Sequence, residues 1–178
     1  RAVTGDVVAF PDDDCWYAPG LLAQVAEELA RQPGWDGVCG RSIDEAGRPS
    51  DPCFPLQPAL LDAYNVWSSA ISYAIFLRRP VCEAVGAFDV SLGVGARTPF
   101  GSAEETDYLI RAMAGGARLH YLPSITVHHP NKNQIPGQAG FDRTRRYAAG
   151  MGRVLAKHRY PLPYRAWVVA RPLAGAVV

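Results

Sequence analysis

The sequence is poor in features that would mark a metal knuckle, a disulfide scaffold or a membrane span. Its four cysteines, Cys15, Cys39, Cys53 and Cys82, form no C-x-x-C pair. A zinc site is therefore not expected, and reduced thiols in a cytosolic setting are. The apolar piece from Trp167 to Val178 is interrupted by Arg171 and Pro172. It falls short of the roughly 20 apolar residues that a membrane span needs. No charged-then-apolar leader opens the chain. Arg1 leads straight into Thr4-Gly5-Asp6-Val7-Val8-Ala9-Phe10, so the start reads as a cut. Internal repeats and low-complexity runs are also missing.

Acid is almost lacking from the last part of the chain. Residues 131–178 carry nine Lys and Arg against the single Asp142, whereas residues 1–130 carry nine against 16 Asp and Glu. The overall charge of +1 hides this asymmetry. A basic tail on an acidic body points to an anionic partner. The tail has no zinc spacing, RNA-binding motif or repeated basic helix. A membrane surface or diphosphate groups therefore rank ahead of nucleic acid, which is not expected as a partner. With 178 residues, 48% of them hydrophobic and 20% charged, the chain is long and apolar enough to bury a core.

Apolar and polar residues alternate as in an α/β protein. Gly5–Phe10 reads as a strand apolar on both faces, hence central, with neighbours on both sides. A helix is predicted from about Pro19, at its first position, to Gln32, with Leu21, Leu22, Val25 and Leu29 on its apolar face. Residues 35–40 and 69–77 read as strands, 43–49 as a turn and 49–63 as a loop. One helical turn is predicted over 80–85, then a glycine-punctuated loop to Gly101. The next helix starts near Ser102, whose spacing to Glu105 fits a capping box, and ends at Gly115-Gly116. Residues 118–122 and 124–129 read as strand pieces split by Pro123. A tail helix is predicted from about Phe141 to His158. Residues 1–130 form the α/β body and 131–178 a basic helical tail.

Four constellations could carry chemistry. Asp12-Asp13-Asp14 follows the first strand, and three adjacent carboxylates repel unless a cation or dipole compensates. A divalent cation on a nucleotide diphosphate would do so; a solvated, helix-capping turn is the other reading. Glu104, Glu105 and Asp107 could supply a general base at a helix amino terminus. Locally, the structural reading is preferred: Glu105 in the capping box and Asp107 paired with Arg111. His128 and His129 fall on opposite faces of a strand, so at most one faces a site. Arg143, Arg145, Arg146 and Tyr147 form either a solvated helix face or a phosphate or lipid contact.

The order of these segments resembles family 2 glycosyltransferases. Phe10-Pro11-Asp12-Asp13-Asp14-Cys15 is similar to their D-x-D region, and Val85-Gly86-Ala87-Phe88-Asp89 to their G-G-F-D segment. Ala103-Glu104-Glu105-Thr106-Asp107-Tyr108 resembles G-E-D-x-D-L, and Tyr121-Leu122-Pro123 with Val127-His128-His129-Pro130 resembles the closing strand and its histidine. The match runs from Gly5 to Pro130. It implies a partial GT-A-type, Rossmann-like mixed sheet flanked by helices and lacking its first strands, which hold the nucleotide base. It also implies Mn²⁺ or Mg²⁺ on Asp14, with His129 preferred to His128 beside it, and Asp12 and Asp13 toward the donor. Glu105 falls at the position of the catalytic acid, usually Asp, with Glu104 as its rival. Ala103 replaces a glycine, a change expected to be harmless.

The function implied is inverting, metal-dependent transfer from a nucleotide sugar to a carbohydrate or lipid-linked acceptor. The tail, with Trp167, Val168, Val169 and Leu173, would hold the enzyme at the cytoplasmic face of a membrane. The alternatives are a binding relative that does not catalyse transfer, and a membrane-surface or partner-binding fragment whose acids are structural.

Overall fold

The computed structural model describes residues 4–50, 54–130 and 137–175, with side chains for all of these except 169 and 171–175. Cys53 and the side chains of Val169 and Leu173 lie outside the described residues. The chain divides into two compact units, Arg1–Phe88 with Glu105–Asn133, and Asp89–Glu104 with Gln134–Val178. The segment 89–104 therefore groups with the tail, not with the rest of the body.

The first unit is α/β. Its elements are β1 (Val7–Ala9), α1 (Leu21–Arg31), β2 (Gly37–Ile43), β3 (Ala59–Leu60), α2 (Val66–Ser69), β4 (Ile75–Arg78), α3 (Arg79–Val85), α4 (Glu104–Ala114) and β5 (Leu119–His128); Glu104 itself belongs to the second unit. The five strands make one mixed sheet in the order β1-β4-β2-β5-β3. β2 and β5 are parallel and every other neighbouring pair is antiparallel. Since β1 and β2 both oppose β4, the strands β1, β2 and β5 run in one direction and end at the same edge of the sheet.

α1 packs through Leu21, Val25 and Leu29, spaced at i, i+4 and i+8, against Val38, Phe76, Ile125 and Val127. Each such side chain contributes about 1.5–3 kcal/mol on burial. α1 starts two residues later than predicted. Gly20, in the left-handed region at φ 88°, is its capping residue, so Pro19 precedes the helix; Leu22 is exposed.

Several other expectations change. β1 pairs on one side only, with β4, so it is an edge strand among the described strands. Residues 69–77 are not one strand: α2 ends at Ser69, a 3₁₀ turn occupies Ser72–Ala74, and only then does β4 begin. β3 lies inside the predicted loop 49–63, pairing with β5 through two residues. Pro123 does not split β5; it lies in an irregularity of one ten-residue strand. There, Cys39 pairs with Tyr121 but Arg41 with Thr126, so β5 carries three extra residues opposite Gly40. A Cβ at Gly40 would fall on the Ile125 carbonyl, and only glycine allows this close approach.

In the second unit, α5 (Gln138–Lys157) and α6 (Leu162–Gly175) join the segment 89–104. The Gly101 amide donates to the Arg146 carbonyl at 3.0 Å and the Ser102 hydroxyl to the Tyr147 carbonyl at 2.9 Å. The Lys157 ammonium donates to Asp89 at 2.7 Å, and Asp89 also accepts from the Ser91 amide and hydroxyl. The capping box fails by one residue. α4 begins at Glu104, so Ala103 precedes it and Glu105 takes the second helical position. Ala103 sits at φ 70°. The replaced glycine is therefore not a harmless loss, because an L-residue there carries about 1–2 kcal/mol of strain. Among the described residues, no helix is long and apolar enough to cross a membrane.

Asp107 is wholly buried in the first unit and accepts from Arg111 Nε at 3.0 Å, the i,i+4 pairing expected from the sequence. Arg111 spends its other nitrogens on the Val85 and Ala87 carbonyls, each at 2.9 Å. Asp107→Ala strands that guanidinium without its counter-ion and should cost about 3 kcal/mol in urea unfolding. A loss under about 1 kcal/mol would mean that solvent already compensates the charge. In the second unit, the bonds from Lys157 and then Ser91 hold the Asp89 carboxyl well below its usual range. Its contribution is present above the ordinary carboxylate pKa of about 4 and is lost as pH falls toward the depressed value. Acid titration of α5 helicity should therefore show a loss in the wild type below about pH 4 that is weaker in Asp89→Asn.

Candidate metal centre

The acidic run leaves β1 in a tight turn, in which the Cys15 amide and thiol both point at the Asp12 carbonyl, at 3.5 and 3.3 Å. Trp16 then forms a two-way backbone bridge with His128, N–H to carbonyl at 3.0 and 3.1 Å. This bridge lays the loop across the carboxyl end of β5. The Trp16 and His128 rings stack at 4.9 Å and 9°. His129 takes the other side of the chain and stacks on Tyr73 at 4.6 Å and 5°.

His129 Nε2 then lies 3.0 Å from Asp14 Oδ1. Asp12, Asp14 and His129 each offer one ligand atom, and the three atoms lie within 4.8 Å of one another. Asp13 is exposed and stands outside this group. Partial desolvation pushes Asp12 above its usual pKa; Asp14 and Asp13 add to the rise and His129 opposes it. The turn thus concentrates negative charge against the His129 imidazole.

A hydrogen-bonded floor fixes that imidazole. The Tyr73 hydroxyl donates to Ser42 Oγ at 2.9 Å, which donates to Ser50 Oγ at 2.9 Å. The Tyr17 hydroxyl donates to the Tyr73 carbonyl at 3.1 Å. Burial first of all pushes both tyrosines up to about 12, so both remain neutral donors at neutral pH. The His129 amide donates to the Ile43 carbonyl at 2.9 Å, tying the histidine to the end of β2. Tyr73, Ser42 and Trp16 do not stand out in the sequence as site residues. The aromatic pair Trp16-Tyr17, one residue after the acids, is a sign of this packing in the sequence.

The other candidates lie elsewhere. Glu105 is half-buried on the first turn of α4, in the unit that carries the Asp-Asp-His group. Glu104 belongs to the second unit, where its carboxylate faces Gly93 and one oxygen is buried without a hydrogen bond. Arg143 donates to the Tyr147 hydroxyl at 3.1 Å and lies over its ring, while Arg145 and Arg146 are exposed. Their exposure fits a solvated helix face and a phosphate or lipid contact alike. A cleft of about 290 Å³ between α3 and the end of α4 is lined by Val81, Val85 and Arg111 and contains none of the predicted site residues.

No protein-family model matches the sequence, and no curated protein matches it.

Two carboxylates and an imidazole suit a divalent cation. Ligands at about 2.1 Å from one octahedral ion lie roughly 3 Å apart when adjacent and about 4.2 Å when opposite. The Asp14–His129 separation already fits the adjacent case, and 4.8 Å needs only a small closing movement. To ligate, Nε2 must exchange its contact with Asp14 for the cation. Titration calorimetry with Mn²⁺ should show binding that Asp14→Asn or His129→Ala weakens at least tenfold, about 1.4 kcal/mol, and that Asp13→Asn leaves nearly unchanged. Equal affinity in all three variants would remove the group as a metal centre.

Proposed function

We propose that the chain is the metal- and acceptor-side part of an inverting glycosyltransferase that uses a nucleotide-sugar donor. One observation carries the reading: Asp12 and Asp14 converge with His129, more than 100 residues further along the sequence, where β1, β2 and β5 all end. Ligands of open α/β sheets bind at that edge. The order of the flanking segments, resembling the motifs of family 2 glycosyltransferases, supports the same reading.

Asp12, Asp14 and His129 would hold the cation, Mn²⁺ ahead of Mg²⁺, because the imidazole suits Mn²⁺ better than the smaller, oxygen-seeking Mg²⁺. Bound there, the cation would offset charge developing on the departing nucleoside diphosphate. Asp13, exposed beside them, is left to contact the donor. Glu105 would take the acceptor hydroxyl proton as the new oxygen–anomeric carbon bond forms and the anomeric carbon–phosphate oxygen bond breaks. The electron pair of the broken bond leaves with the diphosphate. The acceptor class is carbohydrate or lipid-linked, and the charge of residues 131–178 supports a location at the cytoplasmic face of a membrane.

Sugar transfer from a panel of uridine, guanosine and thymidine diphosphate sugars, assayed with the full-length protein and Mn²⁺, tests this reading. Glu105→Gln should lower kcat about 10²–10⁴-fold with donor affinity nearly unchanged, and Glu104→Gln should do much less. A larger loss with Glu104→Gln would move the base by one residue. Donor binding with no turnover would favour a binding relative.

A further inference from the structure

α6 exposes the side that a helix on a protein surface would ordinarily bury. Leu162, Pro163, Ala166, Trp167 and Ala170 lie on its outward face, with Leu162 74% and Trp167 55% exposed. The one cation of its described side chains, Arg165, turns inward and donates to the Leu155 and Ala156 carbonyls at 3.2 and 3.4 Å, at the end of α5. The half-buried Tyr164 stacks on Tyr160 at 5.3 Å. A helix at a water-facing surface normally puts its charges outward and its apolar stripe inward. Here the cation supports the neighbouring helix and the apolar stripe faces out.

The surroundings select the occupant of that face. Arg145, Arg146 and Arg159 are exposed in the same unit, and Asp142 is the one acid from residue 131 onward. The whole unit carries nine Lys and Arg against Asp89, Glu104 and Asp142, so a second copy would bring net charges of +6 against each other. An anionic lipid surface supplies both requirements, headgroups for the arginines and an acyl boundary for Leu162 and Trp167. Tryptophan is well suited to that boundary, having an apolar body and a polar N–H.

We propose that α6 lies in the interface of an anionic membrane, with Leu162 and Trp167 inserted and the arginines of the same unit at the headgroups. The proposal rests on the second unit alone and not on glycosyl transfer, so either reading can fail without the other. Sedimentation with vesicles of equimolar phosphatidylglycerol and phosphatidylcholine, compared with phosphatidylcholine alone, tests it. Binding to the anionic vesicles should weaken with salt. It should fall about tenfold or more when Leu162→Ser and Trp167→Ser are combined, and about fivefold with Arg159→Gln. No binding to anionic vesicles overturns the proposal, as does equal binding to neutral ones or unchanged binding of the double variant. Self-association abolished by the double variant, without lipid binding, would assign the face to a second copy and also overturn it. Should the double variant fail to fold, Trp167 can be retained with Trp16, Trp35 and Trp67 replaced by Phe. Brominated lipid should then quench its fluorescence, and absence of quenching overturns the insertion.

Discussion

Three carboxylates on one turn repel one another, and the first unit is arranged around what opposes them. The opposing group is the His129 imidazole, 3.0 Å from Asp14. Neither residue reaches that place unaided. The Trp16–His128 backbone bridge brings the loop to β5, and the Tyr73 ring, held by Ser42 and Tyr17, sets the plane on which His129 lies. Removing the imidazole would take away the attraction that His129 exerts on these carboxylates. The same charge density that makes the turn costly also makes the Asp-Asp-His group able to hold a cation.

Which histidine faces the acids is decided some residues earlier. Before the irregularity in β5, His120 pairs with Val38 on the α1 face; after it, Val127 pairs with Ser42 on that face. The three extra residues opposite Gly40 therefore reverse the alternation. Ile125 and Val127 enter the α1 core, and His129, continuing the alternation, reaches Tyr73 of the same cluster. A regular strand would put His128 there instead. Gly40 permits the irregularity, so a backbone position distant from the acids in sequence sets the identity of the nitrogen donor.

Much of this architecture was legible because it rests on local patterns. The 3.6-residue spacing of Leu21, Val25 and Leu29, the Gly115-Gly116 stop and the pairing of Asp107 with Arg111 all follow from nearby residues. The association of acids and histidine came from the order of segments, not from any one of them. What was missed depends on distant contacts. β3 is two residues stabilised by pairing with β5, and the 3₁₀ turn before β4 follows the packing of Tyr73 and Ala74 into the α1 core. The strain at Ala103 could not be read either, since φ there is set by how the chain enters α4.

Neighbouring glutamates on a helix point about 100° apart, so Glu104 and Glu105 cannot both serve one direction. Glu104 is turned onto Gly93, whose positive φ and lack of a Cβ let the carboxylate approach; a Cβ there would lie 2.8 Å from the carboxylate carbon. Among the described residues, one of its oxygens is buried with no hydrogen-bond donor. The glycine-rich segment is bound to α5 by Asp89–Lys157 and by the Gly101 and Ser102 hydrogen bonds. Glu105, on the adjacent direction of the same turn, shares a unit with Asp12, Asp14 and His129, whereas Glu104 is committed to the glycine-rich segment of the other unit.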